Sequence, residues 1–297
     1  MIVGNEIKRK DWRNYIFDDI SSNVRSMITL GERQFISYIT NELYEGFGYI
    51  VDLGPFVGAE SVIFGDACAR LSSKNSQIII DYPIRAYDLF PDNISDPNWK
   101  NDQSTYLEYS NNISPYAEFI KTIKGDITAE SWINKEIEIL FNDISKSPEI
   151  NAHVIKTFFP FLVPMRSVLI QQDYYDDHYW IPITMEILSS AFDIIEGPLG
   201  GTSAYVLKRN LTNEEIFAAA TPSLDESILA IRAVQKRNIG WYKRLFRLCE
   251  ARLLIQHKRI SEAKNIIIEV EKDYPNHKVL QRRIDRIKSA INRFQVV

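Results

Sequence analysis

Long apolar runs are missing from this chain. Nowhere do 18 apolar residues follow one another, so no segment has the length of a membrane-spanning helix. The first residues, MIVGNEIKRKDWRN, are polar and mixed in charge and lack the apolar stretch that a secretory signal needs. Cysteine is scarce too. Cys68 and Cys249 lie far apart, each inside a helical pattern, and read as buried free thiols of a protein in the reducing cytoplasm. In that setting the sequons at Asn93, Asn112 and Asn210 carry no meaning. No Gly-x-Gly-x-x-Gly occurs, which counts against a nicotinamide-dinucleotide enzyme.

What is present is ordinary globular material: 297 residues, 45% hydrophobic and 25% charged, enough for a sizeable core and a second small domain. The net charge of −4 hides a division. From Ile231 to Val297 there are 17 Lys and Arg against 6 Asp and Glu, a surplus of +11, which leaves −15 on the rest. Such asymmetry marks a separate C-terminal unit that binds an acidic partner, docks on the acidic remainder, or simply presents a solvated basic face.

Residues 1–46 read as helical, with Phe35, Ile36, Ile39 and Leu43 at helical spacing and Gly46 as the stop. From Tyr49 the pattern changes to a short apolar strand, then Asp52-Leu53-Gly54-Pro55-Phe56-Val57-Gly58, then a helix through ESVIFGDACARL. Further strands are predicted at Ile84–Tyr87, Phe119–Ile123, Ile137–Phe141, Ser167–Gln171, Phe192–Ile195 and Ala204–Leu207, with helical patterns between most of them. Continuous apolar strands alternating with helices predict an α/β fold with a mostly parallel sheet covered on both faces. The last two strands break the rhythm. Only Glu-Gly-Pro-Leu-Gly-Gly-Thr-Ser separates them, too little for a crossover helix, so they form an antiparallel hairpin.

A polar insertion between Phe90 and Tyr116 follows a ligand-side strand end and reads as a substrate-side lid. Beyond Thr212 all is helix. Ala251, Ala263, Ile267 and Pro275 match part of a tetratricopeptide helix-turn-helix in a single copy, which excludes a repeat array and predicts a helical cap.

The chemistry concentrates at strand tips. Asp52-x-Gly54-x-x-x-Gly58 places two glycines where the backbone turns and approaches a ligand, ahead of a helix N-terminus; a purely structural turn is the alternative. Asp88 ends the second strand, where an acid suits ribose hydroxyls, although it lies 30 residues past Gly58 and Asp81 competes with it. Asp126, after the third strand, suits an adenine amino group or a helix N-cap equally well. Asp143 and Asp173 follow the fourth and fifth strands, placed to hold a divalent ion or to orient an acceptor hydroxyl and its base. His178 is a candidate general base, with an ordinary loop residue as the alternative.

VDLGPFVGAES, YDLF, KGDI, ILFNDISKS and VLIQQDYY stand in the order and spacing of the class I S-adenosylmethionine-dependent methyltransferases, and the chain resembles their macrocin-type sugar O-methyltransferase branch over about residues 47–209. The resemblance implies a Rossmann-like sheet ending in an antiparallel hairpin, with an N-terminal helical segment at 1–46, a cofactor domain at 47–212 and a basic helical domain at 213–297. It implies that Asp52, Gly54, Pro55, Phe56, Gly58 and Ser61 surround the methionine end of S-adenosylmethionine. Asp88 with Leu89 would then hold the ribose, Asp126 with Ile127 the adenine, and Asp143 would close the site. Asp143 and Lys146 match the Asp-x-x-Lys of metal-dependent members, so Asp143 and Asp173 are the implied Mg2+ ligands. Those members carry Asp-Asn or Asp-Asp after the fifth strand, where this chain has Asp173-Tyr174. The implied activity is methylation of a sugar, glycan or natural-product hydroxyl, with Asp143, Asp173, His178 and Lys146 on the acceptor side. A catalytically degenerate interaction protein is the alternative. A nucleic-acid methyltransferase is disfavoured, because acids interrupt the basic segment and no aromatic-basic stripe appears. Self-association stays open.

Overall fold

The computed structural model describes residues 11–74, 80–91 and 104–295. Its contacts form two compact units, one of Met1–Gln172 with Ala191–Leu211, the other of Asp173–Ser190 with Thr212–Val297.

The first unit is built on a seven-stranded sheet of order β3-β2-β1-β4-β5-β7-β6. The strands are β1 Tyr49–Leu53, β2 Ile84–Asp88, β3 Ile120–Lys124, β4 Ile137–Asn142, β5 Val168–Gln171, β6 Phe192–Leu199 and β7 Thr202–Leu207. β1 to β5 run parallel, and β7 enters antiparallel between β5 and β6. Its apolar strands follow from burial: Ile50, Val51 and Leu53 of β1 and Leu140 and Phe141 of β4 have no exposed surface. The expected hairpin is there, tightened to a turn at Gly200-Gly201. Gly200 has φ +56°, and a Cβ on it would lie 2.5 Å from the Glu32 carboxyl carbon. Glu32 accepts hydrogen bonds from the Gly201 N–H at 3.0 Å and the Thr202 hydroxyl at 2.6 Å. It also completes the capping box with Thr29 that starts α1, Leu30–Tyr38.

Also in this unit are α2 Ala59–Lys74, α3 Thr105–Ile113 and α4 Pro148–Phe158. α3 lies in the polar insertion between Phe90 and Tyr116. Residues 92–103 of that insertion lie outside the described residues, but Thr105, Tyr109 and Ile113 form one buried helical stripe. A polar composition of Asn and Ser masks this four-residue periodicity.

The second unit holds α5 Trp180–Ile187, α6 Asn213–Ala220, α7 Leu224–Arg237, α8 Gly240–Gln256, α9 Ile260–Asp273 and α10 Lys278–Gln295. The sequence reading puts residues 173–190 inside the sheet domain; their contacts group them with these helices instead. The physical reason is local. Trp180, Ile181, Ile183 and Met185 are buried on α5, which packs on α6 and α7, while arginines of α8 and α10 bind Asp176 and Asp177. Capping boxes at Thr212/Glu215 and Ser223/Glu226 start α6 and α7. Part of the basic surplus of residues 231–297 is answered by acids of the same unit outside that segment, Arg252 and Arg283 by Asp176 and Asp177 and Arg237 by Glu186. Within it, Arg232 and Arg247 pair with Glu250, which has no exposed surface, and Arg244 with Glu269. Among the described residues no helix is long and apolar enough to cross a membrane.

Candidate functional site

The carboxyl ends of β1, β2, β3 and β4 are drawn together by backbone hydrogen bonds. The Gly54 N–H donates to the Tyr87 carbonyl at 2.9 Å, the Asp143 N–H to Leu53 at 2.8 Å and the Gly125 N–H to Asp88 at 3.0 Å. The turn after β1, Asp88, Asp143 and the β3 tip carrying Asp126 therefore form one cluster at the sheet's carboxyl edge, where open α/β sheets bind ligands.

The turn needs its glycines. Gly54 has φ +88°, and a Cβ there would lie 3.0 Å from the Asp143 carbonyl carbon and oxygen, both fixed backbone. Gly58 has φ +95°, and its Cβ would press Ile113 and Tyr109 of α3 at 3.1 Å. Gly54→Ala should therefore lower the unfolding free energy by at least ~2 kcal/mol, combining left-handed strain with a backbone collision. A urea unfolding midpoint equal to that of the wild type would show that the turn tolerates a side chain.

Asp52 has no exposed surface. Its Oδ2 accepts a hydrogen bond from the Ser61 hydroxyl of α2 at 2.5 Å, and its Oδ1 is buried without a hydrogen-bond partner. Burial pushes its pKa up to about 7 against the Ser61 hydrogen bond, with Asp88 and Asp143 adding repulsion. A fully buried carboxylate oxygen left unsatisfied is costly unless a ligand group completes it.

Asp88 is the tip acid of β2, while Asp81 precedes that strand, at its other end. Its two oxygens accept the N–H groups of Phe56 at 3.0 Å and Phe90 at 2.7 Å. Both phenylalanines have positive φ, 54° and 50°. The carboxylate thus holds two strained turns that each cost about 1–2 kcal/mol, and each oxygen keeps a lone pair for a ligand hydroxyl. Burial raises the pKa of Asp88, opposed by these backbone hydrogen bonds. Leu89 beside it is an exposed apolar side chain. Asp126 caps a short 3-10 turn, accepting the N–H and hydroxyl of Thr128, which hold its pKa low; Ile127 after it is buried.

At the next two tips, Asn142 and Gln171 have no exposed surface, and the Asn142 amide donates to Gln171 Oε1 at 2.7 Å and to the Ser145 hydroxyl at 2.9 Å. Asp143 is paired with Lys146, Oδ1 to Nζ at 2.5 Å. The half-exposed ammonium offsets part of this carboxylate's charge.

Asp173, the other implied metal ligand, belongs to the second unit and lies at φ +61° with Oδ2 3.6 Å from His178 Nδ1. Asp173, Asp176 and His178 offer ligand atoms within 4.8 Å of one another. Arg283 of α10 nevertheless donates to Asp176 at 2.6 Å and to Asp177 at 3.0 Å, and Arg252 of α8 pairs with Asp177 at 2.5 Å. The Arg283 guanidinium makes Asp176 a poor ligand for Mg2+. Burial and the neighbouring Asp177 push the pKa of Asp176 up to about 7. Burial works against Asp177, but its hydrogen bond with Asp176 and the charges of Arg252 and Arg283 hold it well below the usual carboxylate range.

Several site residues escaped the sequence reading. Glu60, in the first turn of α2, is buried, and burial and then Asp52 drive its pKa well above normal. In sequence it is one more acid near a helix start, an unremarkable placement. Tyr109, Asn142 and Gln171 sit in runs read as lid or strand, and Arg283 is one of many helical cations; none carries a local signal.

The strand order, with β7 inserted antiparallel between β5 and β6, is the sheet that the resemblance to class I S-adenosylmethionine-dependent methyltransferases implies. No family model matches the chain, and no curated protein does. Among solved structures it is similar to the calicheamicin methyltransferase CalS11, at 13% identity over 68% of this chain and 90% of that one, with a TM-score of 0.42. It is also similar to a provisionally assigned RNA methyltransferase of Pyrococcus horikoshii, at 11% identity over 71% of this chain and 100% of that one, with a TM-score of 0.39. These likenesses are distant and decide nothing about activity; the fold rests on the sheet itself.

Proposed function

We propose that this chain transfers a methyl group from S-adenosylmethionine to a hydroxyl of a sugar, glycan precursor or natural product, as in the macrocin-type branch it resembles. The observation that carries the donor assignment is Asp52, fully buried with one oxygen unanswered, next to a second buried acid, Glu60. Such a site attracts a ligand bearing an ammonium and a sulfonium. It repels phosphate, which also counts against a dinucleotide cofactor.

In this reading Asp52, Ser61 and the turn through Gly54, Pro55, Phe56 and Gly58 hold the methionine end. Asp88 and Leu89 hold the ribose, and Asp126 and Ile127 the adenine. The cofactor supplies a methyl already activated by its positive sulfur. The protein's remaining work is to aim the acceptor oxygen and remove its proton. His178, whose Nδ1 lies 3.6 Å from Asp173 Oδ2, is the residue that would take up the hydroxyl proton, with Asp173 stabilising the imidazolium so formed. Asp143, with its charge shared by Lys146, accepts a hydrogen bond from the acceptor. No step requires a metal.

Two measurements test this. Calorimetry with S-adenosylmethionine checks the donor site. Incubation with labelled donor and a panel of sugar nucleotides and glycan fragments, with and without magnesium, checks transfer. His178→Ala should leave donor affinity within about twofold and cut turnover about 100-fold, the lower range for a general base. Equal turnover in the variant would remove His178 from the mechanism. Donor binding without transfer to any acceptor would favour a degenerate interaction module. A nucleic-acid acceptor is less favoured, since Arg232, Arg244, Arg247, Arg252 and Arg283 are already engaged by acids of their own unit.

A further inference from the structure

We propose that Glu60, acting with Asp52, makes the donor site a charge filter that retains the sulfonium cofactor and lets the neutral thioether product go. This rests on the methyl-donor reading above and adds to it the determinant that separates substrate from product.

The geometry is that of two carboxyl groups enclosed, among the described residues, without a cation. Asp52, next to last in β1, has no exposed surface; Ser61 satisfies one oxygen and nothing among the described residues satisfies the other. Glu60 immediately precedes Ser61 on α2, is 6% exposed, and turns its carboxyl onto its own backbone N–H. The nearby positive charge is spent: Lys146 lies 2.5 Å from Asp143. The groups facing this pair are also acidic or neutral. They are Asp88 from β2, Asp143 after β4, Glu32 from α1 and the Tyr109 phenol from α3. Two enclosed, unpaired carboxyl groups persist at a cost, and a cationic ligand group offsets it.

The donor and its product carry the same ammonium and carboxylate. Only the sulfur differs: positive before transfer, neutral after. A negative group within several ångströms of that sulfur therefore senses how far the reaction has gone. One unit charge several ångströms away in a partly screened interior is worth about tenfold in affinity. Burial pushes the pKa of Asp52 up to about 7 and that of Glu60 well above the usual carboxylate range, so an arriving cation pulls both down and expels protons. The neutral product lacks part of that pull. Donor affinity should accordingly fall as pH drops below 7, and product affinity should fall less.

The test is calorimetry on the full chain at about pH 7, where Asp52 titrates, in buffers of different ionisation enthalpy. The probes are S-adenosylmethionine, S-adenosylhomocysteine and sinefungin, in which a protonated amine replaces the methyl sulfonium. In the wild type, both cationic probes should bind about tenfold tighter than the thioether and release more protons. In Glu60→Gln, an isosteric change, that preference should shrink to about twofold and the extra proton release should fall. Equal affinity of donor and product in the wild type overturns the filter, whether or not the variant folds. So does an unchanged preference in a folded Glu60→Gln. If no probe binds folded wild type, the donor reading itself fails and takes this inference with it.

Discussion

Asp52→Asn should fold, gain thermal stability above neutral pH and lose cofactor binding. Burial raises the pKa of Asp52 from the usual carboxylate range to about 7. Between roughly pH 4 and 7 the folded chain therefore holds a proton that the unfolded chain has released. Stability falls as pH rises through that window, and above it the ionised group costs on the order of 4 kcal/mol. Asparagine carries no charge and keeps an oxygen for the Ser61 hydroxyl, but its amide still lacks a partner. The net gain at pH 8 should be about 1–2 kcal/mol, or roughly 5 °C in Tm. Affinity for S-adenosylmethionine should drop about 100-fold, because the carboxylate that answers its ammonium is gone. Thermal unfolding across pH and calorimetry read both effects. A variant with the wild-type pH slope, or with affinity within threefold, would mean that Asp52 is a structural acid. Such opposition between stability and binding is what a ligand site kept under tension shows.

Arg283→Met should cost about 3 kcal/mol and loosen the segment that bears Asp173 and His178. The Arg283 guanidinium is 14% exposed and bonds both Asp176 and Asp177, and Arg252 alone cannot replace it. Methionine leaves two adjacent, largely buried carboxyls short of a cation, the situation in which breaking a buried pair is most damaging. The effect has a pH signature. The pKa of Asp176 is about 7 in the wild type, so this raised group already withdraws stability as pH rises through neutrality. Asp177 is depressed and contributes stability that is lost only in acid. Removing the guanidinium raises both, so the variant should be penalised more at pH 8 than at pH 6. Urea midpoints at the two pH values, with hydrogen exchange of residues 173–179, provide the check. Exchange at wild-type rates would show that the helices do not hold this loop. Lysine should rescue only in part, since it cannot engage two carboxylates with one planar fork.

Much of the sheet was legible because its signals are local. A β-branched run, a glycine turn and a helix recur along the chain, and eight residues between two apolar strands leave no room for a crossover. Asp88 was legible for the same reason: Pro83 and the run after it place the strand that Asp88 ends. α3 was not, because its stripe of Thr105, Tyr109 and Ile113 is sparse and sits among residues typical of loops. Asp126 had two equal readings in sequence, and its hydrogen bonds to Thr128 make it at least a cap. The metal reading depended on carboxylates counted along the chain. It weakened once Lys146 and Arg283 were seen lying on them.

The amino-acid sequence by itself determined the strand order's raw material, the glycine turn and the division into an acidic sheet domain and basic helices, since each follows from residue type and spacing. Tertiary structure decided which carboxyl groups are paired and which stand alone. Asp52, Glu60, Asp143 and Asp176 look alike as letters, yet one keeps a buried oxygen unanswered among the described residues, one folds on its own backbone, one meets an ammonium and one a guanidinium. The reason is that a carboxylate's chemistry is set by burial and by charges brought to it from distant positions, and neither is encoded in its immediate neighbours.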